Sequence, residues 1–230
     1  MRTRSHMIKS YTIPRRFRAL SRDSAPHVFQ CLLDLGRSSV QTGLARLLAS
    51  WWGIQMGQGC RFYGLPMFRR LPGSTIKVGE NCQFRSSGWS NLVGINRPCF
   101  LSTVSETATV DIGTDCGFSG TIISSASRIA IGNRVMCGAN VTITDTDGHA
   151  VDSQERRGGV AGRTAPVLIG DDVWLGMNVT VLKGVEIGSR TVIGAGSVVS
   201  QSLPSGVIAA GQPAVVVLRW IPKIGHGVKS

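Results

Sequence analysis

From Ile169 to Pro204 the chain divides into six consecutive blocks of six residues: IGDDVW, LGMNVT, VLKGVE, IGSRTV, IGAGSV and VSQSLP. An aliphatic residue opens each block, at Ile169, Leu175, Val181, Ile187, Ile193 and Val199. A small or branched residue holds the fifth place, at Val173, Val179, Val185, Thr191 and Ser197, with Leu203 the larger exception. Glycine follows the opener in four of the six blocks. A period of six is neither the 3.6 of a helix nor the 2 of a plain strand. A fixed short period marks a repeat architecture, in which each unit buries its apolar side only against its neighbours. A prism satisfies this pattern. Each block supplies one short strand and one corner, and three blocks complete a coil of 18 residues. The opener points inward and the fifth residue packs inward near the corner. A sandwich would instead show alternating strands at irregular spacing.

This repeat resembles that of the hexapeptide-repeat acyltransferases. The resemblance covers residues 57–218 and implies an all-β repeat fold, a left-handed parallel β-helix. Its handedness comes from the resemblance, not from the spacing, and departs from the usual right-handed crossover. Composition suits a narrow prism: 29 glycines and only 6% aromatic residues in 230.

Around this core we expect four regions. Residues 1–25 form a basic tail, with Arg2, Arg4, Lys9, Arg15, Arg16, Arg18 and Arg22 and no acid before Asp23. Residues 26–56 form a short helical appendage. Pro26 opens a helix that Gly36 ends, and Ser38 or Ser39 caps a second helix reaching Trp52. In that second helix Leu44, Leu47, Leu48 and Trp51 make one apolar face. It packs over the first coil as a cap or, on the sharper reading, touches a membrane. Residues 57–218 form the β-helix, its early coils degraded. Val78-Gly79 and Ile112-Gly113 open recognisable blocks, followed by Phe84 and Phe118. Residues 219–230 form a C-terminal tail. The phase breaks after Ile143 and returns at Ile169. A polar insertion of this length inside a strict repeat points to function.

The net charge of +12 favours anionic partners such as phosphorylated ligands or a membrane surface. No nucleic-acid motif accompanies it. The six cysteines form no C-x-x-C motif. Cys82, Cys116 and Cys137 fall at inward places of the repeat, which suits a reducing, cytoplasmic compartment.

His149 is the only histidine between residues 57 and 218, and it lies in the insertion at residues 144–167. The resemblance assigns it as the catalytic base, because sugar-directed members carry a D-x-D-x-H stretch on such a loop. Here that stretch is Asp145-Thr146-Asp147-Gly148-His149. Histidine suits the task, since an unperturbed imidazole titrates near operating pH. Asp145 and Asp147 are candidates to orient the ring. Asp147 alternatively holds substrate hydroxyls, and both residues alternatively only cap a turn. The resemblance further implies an oxyanion donor at the Met177 backbone N–H, after Val173-Trp174-Leu175-Gly176.

The same resemblance implies acetyl-CoA as co-substrate, lying in a groove between prisms of a homotrimer. Trp174 and Gly176 would border its acyl arm, Gly194-Ala195 the pantetheine, Ser200-Gln201 its lower end and Arg219 its phosphates. Many relatives have Thr-Lys in place of Ser200-Gln201, so a cation is missing that Lys183 or Arg190 would have to replace. Trp89, in the irregular stretch Ser86 to Cys99, is expected to shape the acceptor pocket. The implied function is O-acetyl transfer to a saccharide hydroxyl, within polysaccharide or glycan biosynthesis. Alternatives are N-acetylation of an amino sugar and a non-catalytic scaffold. A zinc hydratase needs three converging histidines, and the prism has one.

Overall fold

The computed structural model describes residues 22–219. Three parallel sheets wrap one core. Sheet A contains strands Gln55–Met56, Thr75–Val78, Thr109–Ile112, Arg128–Ile131, Val167–Ile169 and Glu186–Ile187. Sheet B begins at Arg61–Tyr63 and includes Gln83–Arg85, Gly117–Ser119, Met136–Ala139, Trp174–Leu175 and Val192–Ile193. Sheet C includes Ile122–Ser125, Thr142–Thr144, Thr180–Val181 and Val198–Val199. The chain visits A, B and C in turn, so each coil contributes one strand to every face. The result is a three-sided parallel β-helix.

The hexad openers Ile169 to Val199 are all buried, as are the fifth-place residues Val173 to Leu203. Phe62, Phe84 and Phe118 are register partners on sheet B, and their rings stack at 5.0 Å from coil to coil. The thiols of Cys60, Cys82 and Cys116 form a second column. Each donates at 3.2 Å to a glycine carbonyl of the next coil, at Gly79, Gly113 and Gly132. All six cysteines are free and buried. The corner between sheets A and B is made by left-handed residues, Asn81, Asp115, Arg134, Asp172 and Arg190. At each, the backbone N–H donates to a carbonyl of the preceding coil.

Helix α1 (Ala25–Trp51) is one continuous helix of 27 residues, not two. Gly36 stays helical, at a cost of about 1 kcal/mol relative to alanine. Ser38 and Ser39 do not cap a new helix, because their hydroxyls donate back to the Leu35 carbonyl at 3.1 and 2.9 Å.

The orientation of α1 also differs from the expected cap. Leu44, Leu47, Leu48 and Trp51 face outward, and Ala45 and Ala49 are buried. The reason is polar. The first coil has no coil before it, so alternate N–H groups of its sheet B strand lack strand partners. Thr42 Oγ1 accepts from Phe62 N at 3.0 Å, and Gln41 Oε1 accepts from Gly64 N at 2.7 Å. Arg46 donates to the Gly57 carbonyl at 2.9 Å. The polar side of α1 therefore closes the sheet edge. Among the described residues no helix is long and apolar enough to cross a membrane.

After Val207–Gly211 the chain does not simply leave the prism. It turns back as an antiparallel strand, Ala214–Arg219.

Candidate functional site

The insertion is an ordered ribbon at the corner between sheets C and A. It leaves strand Thr142–Thr144 and returns at Val167–Ile169. Its two arms pair as antiparallel bridges, Thr146 with Thr164 and His149 with Ala161. Asp147 N donates to Arg163 O, and Ala165 N donates to Asp145 O, both at 3.0 Å. The arms meet closely at His149 because residue 162 is glycine. A Cβ there would lie 2.7 Å from His149 N and 2.8 Å from its carbonyl oxygen. The tip is helix α2 (Ser153–Arg157). Asp152 caps it by accepting from the N–H groups of Gln154 and Glu155. Those bonds hold the Asp152 carboxyl below the ordinary aspartate range. Arg156 donates to the carbonyls of Ala150 and Val151 at 3.0 Å, fixing the stretch just after His149.

His149 is exposed on this ribbon, and nothing hydrogen-bonds its ring among the described residues. The two aspartates have separate tasks. Asp145 is fully buried and accepts three bonds, from Ala126 N at 2.6 Å, Ser125 Oγ at 2.7 Å and Ser127 N at 2.9 Å. Its carboxylate is spent on the turn between coils, so it does not orient His149. Asp147 is exposed and accepts from Lys183 Nζ at 2.6 Å.

The remaining candidates lie elsewhere. Trp174 stands half-exposed on the outer side of sheet B, between Met136 and Val192. A depression of about 160 Å³ lies beside it, lined by Gln83, Arg85, Met136 and Gly138. Gly176, Met177, Gly194 and Ala195 follow at the corner between sheets B and C. No hydrogen bond uses the Met177 N–H among the described residues. Gly176 is required by stacking alone, since a Cβ would lie 2.7 Å from the Ala195 amide. Ser200 and Gln201 are exposed at the C–A corner, and Arg219 is exposed at the end of the last strand.

One chain therefore does not bring His149 and Met177 to the same corner. The sequence reading expected a site between prisms but did not say which residues share a corner, because a hexad period shows only that corners exist. It also missed two residues. Gly162 sets the arm spacing, and only the glycine density of the insertion pointed to it. Arg97 holds the irregular stretch to the B–C corner by donating to the carbonyls of Gly120 and Asn140 and to Thr142 Oγ1.

Two expectations need correction. Lys183 is engaged with Asp147 at the C–A corner, and Arg190 lies at the A–B corner, away from both groups of candidates. Trp89 packs edge-on against Tyr63, with Arg37 of α1 over its ring, at the base of the prism. A cleft of about 560 Å³ lies along sheet A and is lined by Asp111, Asp171 and Glu186. Its acidic walls suit no anionic ligand, and it contains none of the candidates.

The family model "Bacterial transferase hexapeptide (six repeats)" matches residues 166–201. The galactoside O-acetyltransferase of Lactococcus lactis is 39% identical over 142 residues, 61% of this chain and 61% of that protein. Two further relatives are matched over only 51% and 43% of their lengths. WbbJ of Escherichia coli K12, whose name proposes O-acetyl transfer in lipopolysaccharide biosynthesis, is 31% identical over 176 residues. That alignment covers 71% of this chain and 81% of WbbJ. The chain belongs to the hexapeptide-repeat acetyltransferase family.

A crystal structure of a variant of AntD, an N-acyltransferase from Bacillus cereus, in complex with dTDP-4-amino-4,6-dideoxyglucose and coenzyme A, superposes with a TM-score of 0.57 at 17% identity. It covers 78% of this chain and 91% of AntD. The likeness is one of fold. The prism of this member of the family is a left-handed parallel β-helix, with a ribbon inserted at one corner and a helix across its base.

Proposed function

We propose that the protein is an acetyl-CoA-dependent O-acetyltransferase acting on a saccharide hydroxyl, with His149 as general base. One observation carries this reading. The only histidine between residues 57 and 218 stands exposed on a ribbon tied down on both arms, in a chain of the hexapeptide-repeat acetyltransferase family. The names of the Lactococcus and Escherichia relatives support a saccharide hydroxyl as acceptor. Such an acceptor goes with polysaccharide biosynthesis in the cytoplasm.

In the proposed reaction the acceptor oxygen attacks the thioester carbonyl carbon while a neutral ring nitrogen of His149 takes its proton. The carbonyl oxygen gains a negative charge, which the Met177 N–H stabilises by donating to it. The C–O double bond then re-forms and the C–S bond breaks. The imidazolium returns its proton to the departing thiolate. The products are an acetyl ester and the free thiol of CoA.

Acetyl-CoA would lie along the B–C corner, past Trp174, Gly176, Gly194 and Ala195. Since His149 occupies the C–A corner, a complete site takes its base from one copy and its oxyanion donor from another. A homotrimer of parallel prisms meets that need, with three equivalent sites between chains. Ser200, Gln201 and Arg219 remain candidates for the nucleotide end, and Asp147 for holding the ribbon or the acceptor.

The test is thiol release from acetyl-CoA, wild type against His149→Ala, over hexoses, amino sugars and oligosaccharides. Loss of a general base costs about a hundredfold to ten-thousandfold in rate. A loss of that size with acetyl-CoA still bound supports the assignment. Unchanged turnover removes His149 from the chemistry, and turnover on amines alone replaces ester with amide formation.

A further inference from the structure

The outward side of α1 is the largest feature that acetyl transfer leaves unexplained. Phe29, Leu33, Gly36, Val40, Leu44, Leu47 and Trp51 follow one another at steps of four and three, a single stripe along the whole helix. Leu32 and Leu48 flank it. Leu47 is 69% exposed, Phe29 63%, Val40 65% and Trp51 86%. The helix carries three charged residues, Asp34, Arg37 and Arg46, and none lies on the stripe. At 27 residues it is about 40 Å long.

The helix is amphipathic in the reverse sense from a core helix. Its polar side is consumed by the prism, where Gln41 and Thr42 close the free edge of the first coil. Its apolar side faces away from the core. Immediately before it stand seven cations, Arg2 to Arg22, with no acid before Asp23.

We propose that this side of α1 docks on an anionic phospholipid surface, with the prism standing on the membrane by its base. Charge selects the occupant. A second copy on the same stripe offers the seven cations no anionic counterpart, whereas an anionic lipid surface attracts both elements at once. An uncharged apolar stripe enters the boundary between headgroups and acyl chains, and Trp51 sits at one end of it, where an aromatic ring suits the interface. The helix lies on the bilayer, since among the described residues none is long and apolar enough to cross it. The docking surface does not depend on the acetyl-transfer reading.

The experiment uses the full chain with vesicles of phosphatidylcholine and of an equimolar phosphatidylcholine–phosphatidylglycerol mixture, read by flotation. The expected result is binding to the mixed vesicles, little to phosphatidylcholine, and weakening by salt. The double variant Leu47→Glu/Trp51→Glu lowers partitioning at least about tenfold, because two apolar side chains no longer leave water. The triple variant Arg15→Glu/Arg16→Glu/Arg18→Glu, which leaves the helix untouched, lowers it as well. Light scattering shows unchanged mass for both variants. Absence of binding to mixed vesicles, or binding that neither variant reduces, overturns the proposal. A lower mass in the Leu47→Glu/Trp51→Glu variant also overturns it, by assigning the stripe to contact between copies.

Discussion

Lys183 Nζ lies 2.6 Å from Asp147 Oδ1, so the coil that follows the insertion holds the ribbon that carries His149. Both side chains are about 30% exposed. An ion pair this accessible contributes at most about 1 kcal/mol to stability. Its consequence lies in where the ribbon sits.

Lys183→Met and Asp147→Asn should therefore lower kcat by similar factors, about threefold to tenfold. The double variant should lose little beyond either single change, because the two act through one contact. Steady-state kinetics with a working acceptor checks this. A larger loss for Asp147→Asn, confined to the acceptor KM, would reassign Asp147 to holding the acceptor.

Asp145 should behave differently, although it stands two residues away. Its carboxylate satisfies three donors inside the prism. Asp145→Ala strands the Ala126 and Ser127 N–H groups, while Ser125 Oγ can still donate to the Thr109 carbonyl, and each buried unsatisfied group costs about 1–3 kcal/mol. A total near 3 kcal/mol corresponds to a fall in Tm of about 6–12 °C for a chain of this size. Below the new Tm the pH–rate profile should keep its shape. A change in that profile with unchanged Tm would return Asp145 to the chemistry.

These two aspartates mark where the sequence was legible. The hexad openers, the fifth-place valines and the inward Cys82, Phe84, Cys116 and Phe118 all follow from a period that burial enforces in every coil. Any strand slip would expose an aliphatic column. The D-x-D-x-H stretch carries no such period, and spacing alone does not separate a buried turn carboxylate from an exposed one. The helix was misread for a related reason. The cap reading, unlike the membrane reading, has the apolar stripe seek the core, but the first coil presents free N–H groups, so Gln41 and Thr42 take the inner side. Gly36 and Ser38 read as a stop and a start, yet the contacts of α1 with the prism outweigh a modest local preference.

Acid sensitivity should come partly from the A–B corner. Arg134 Nε and Nη2 donate to the two oxygens of Asp172 at 2.7 and 2.8 Å, and Nη2 lies 3.4 Å from Asp171 Oδ2. The hydrogen bonds from Arg134 hold the Asp172 carboxyl below its ordinary value. Asp171 is lowered chiefly by the Asn133 N–H, with Arg134 adding to it. A carboxyl whose folded pKa is depressed stabilises the fold above its unfolded value, near 4, and loses that contribution as pH falls through the folded value. Arg134→Leu should therefore be less stable than wild type at pH 7, with the gap narrowing below about pH 4. Denaturant midpoints across that range measure it, and a gap that is constant with pH would leave Arg134 with a packing role only.

The last expectation concerns Gly162, which touches neither partner in the proposed reaction. A methyl group added there would press on the backbone N and O of His149 at 2.7 and 2.8 Å, and on Gly148 N at 2.9 Å. Backbone atoms do not yield as the end of a flexible side chain does, so the two arms must separate and His149 must move. A misplacement of about 1 Å at a reacting group costs on the order of a hundredfold in rate. Gly162→Ala should thus lower kcat strongly while leaving the acetyl-CoA Kd and the Tm close to wild type, since the ribbon lies outside the core. Activity should fall short of the loss in His149→Ala, because the base is displaced and not removed. Full activity in Gly162→Ala would show that the ribbon relaxes without moving His149, and the spacing of its arms would then have no part in positioning the base.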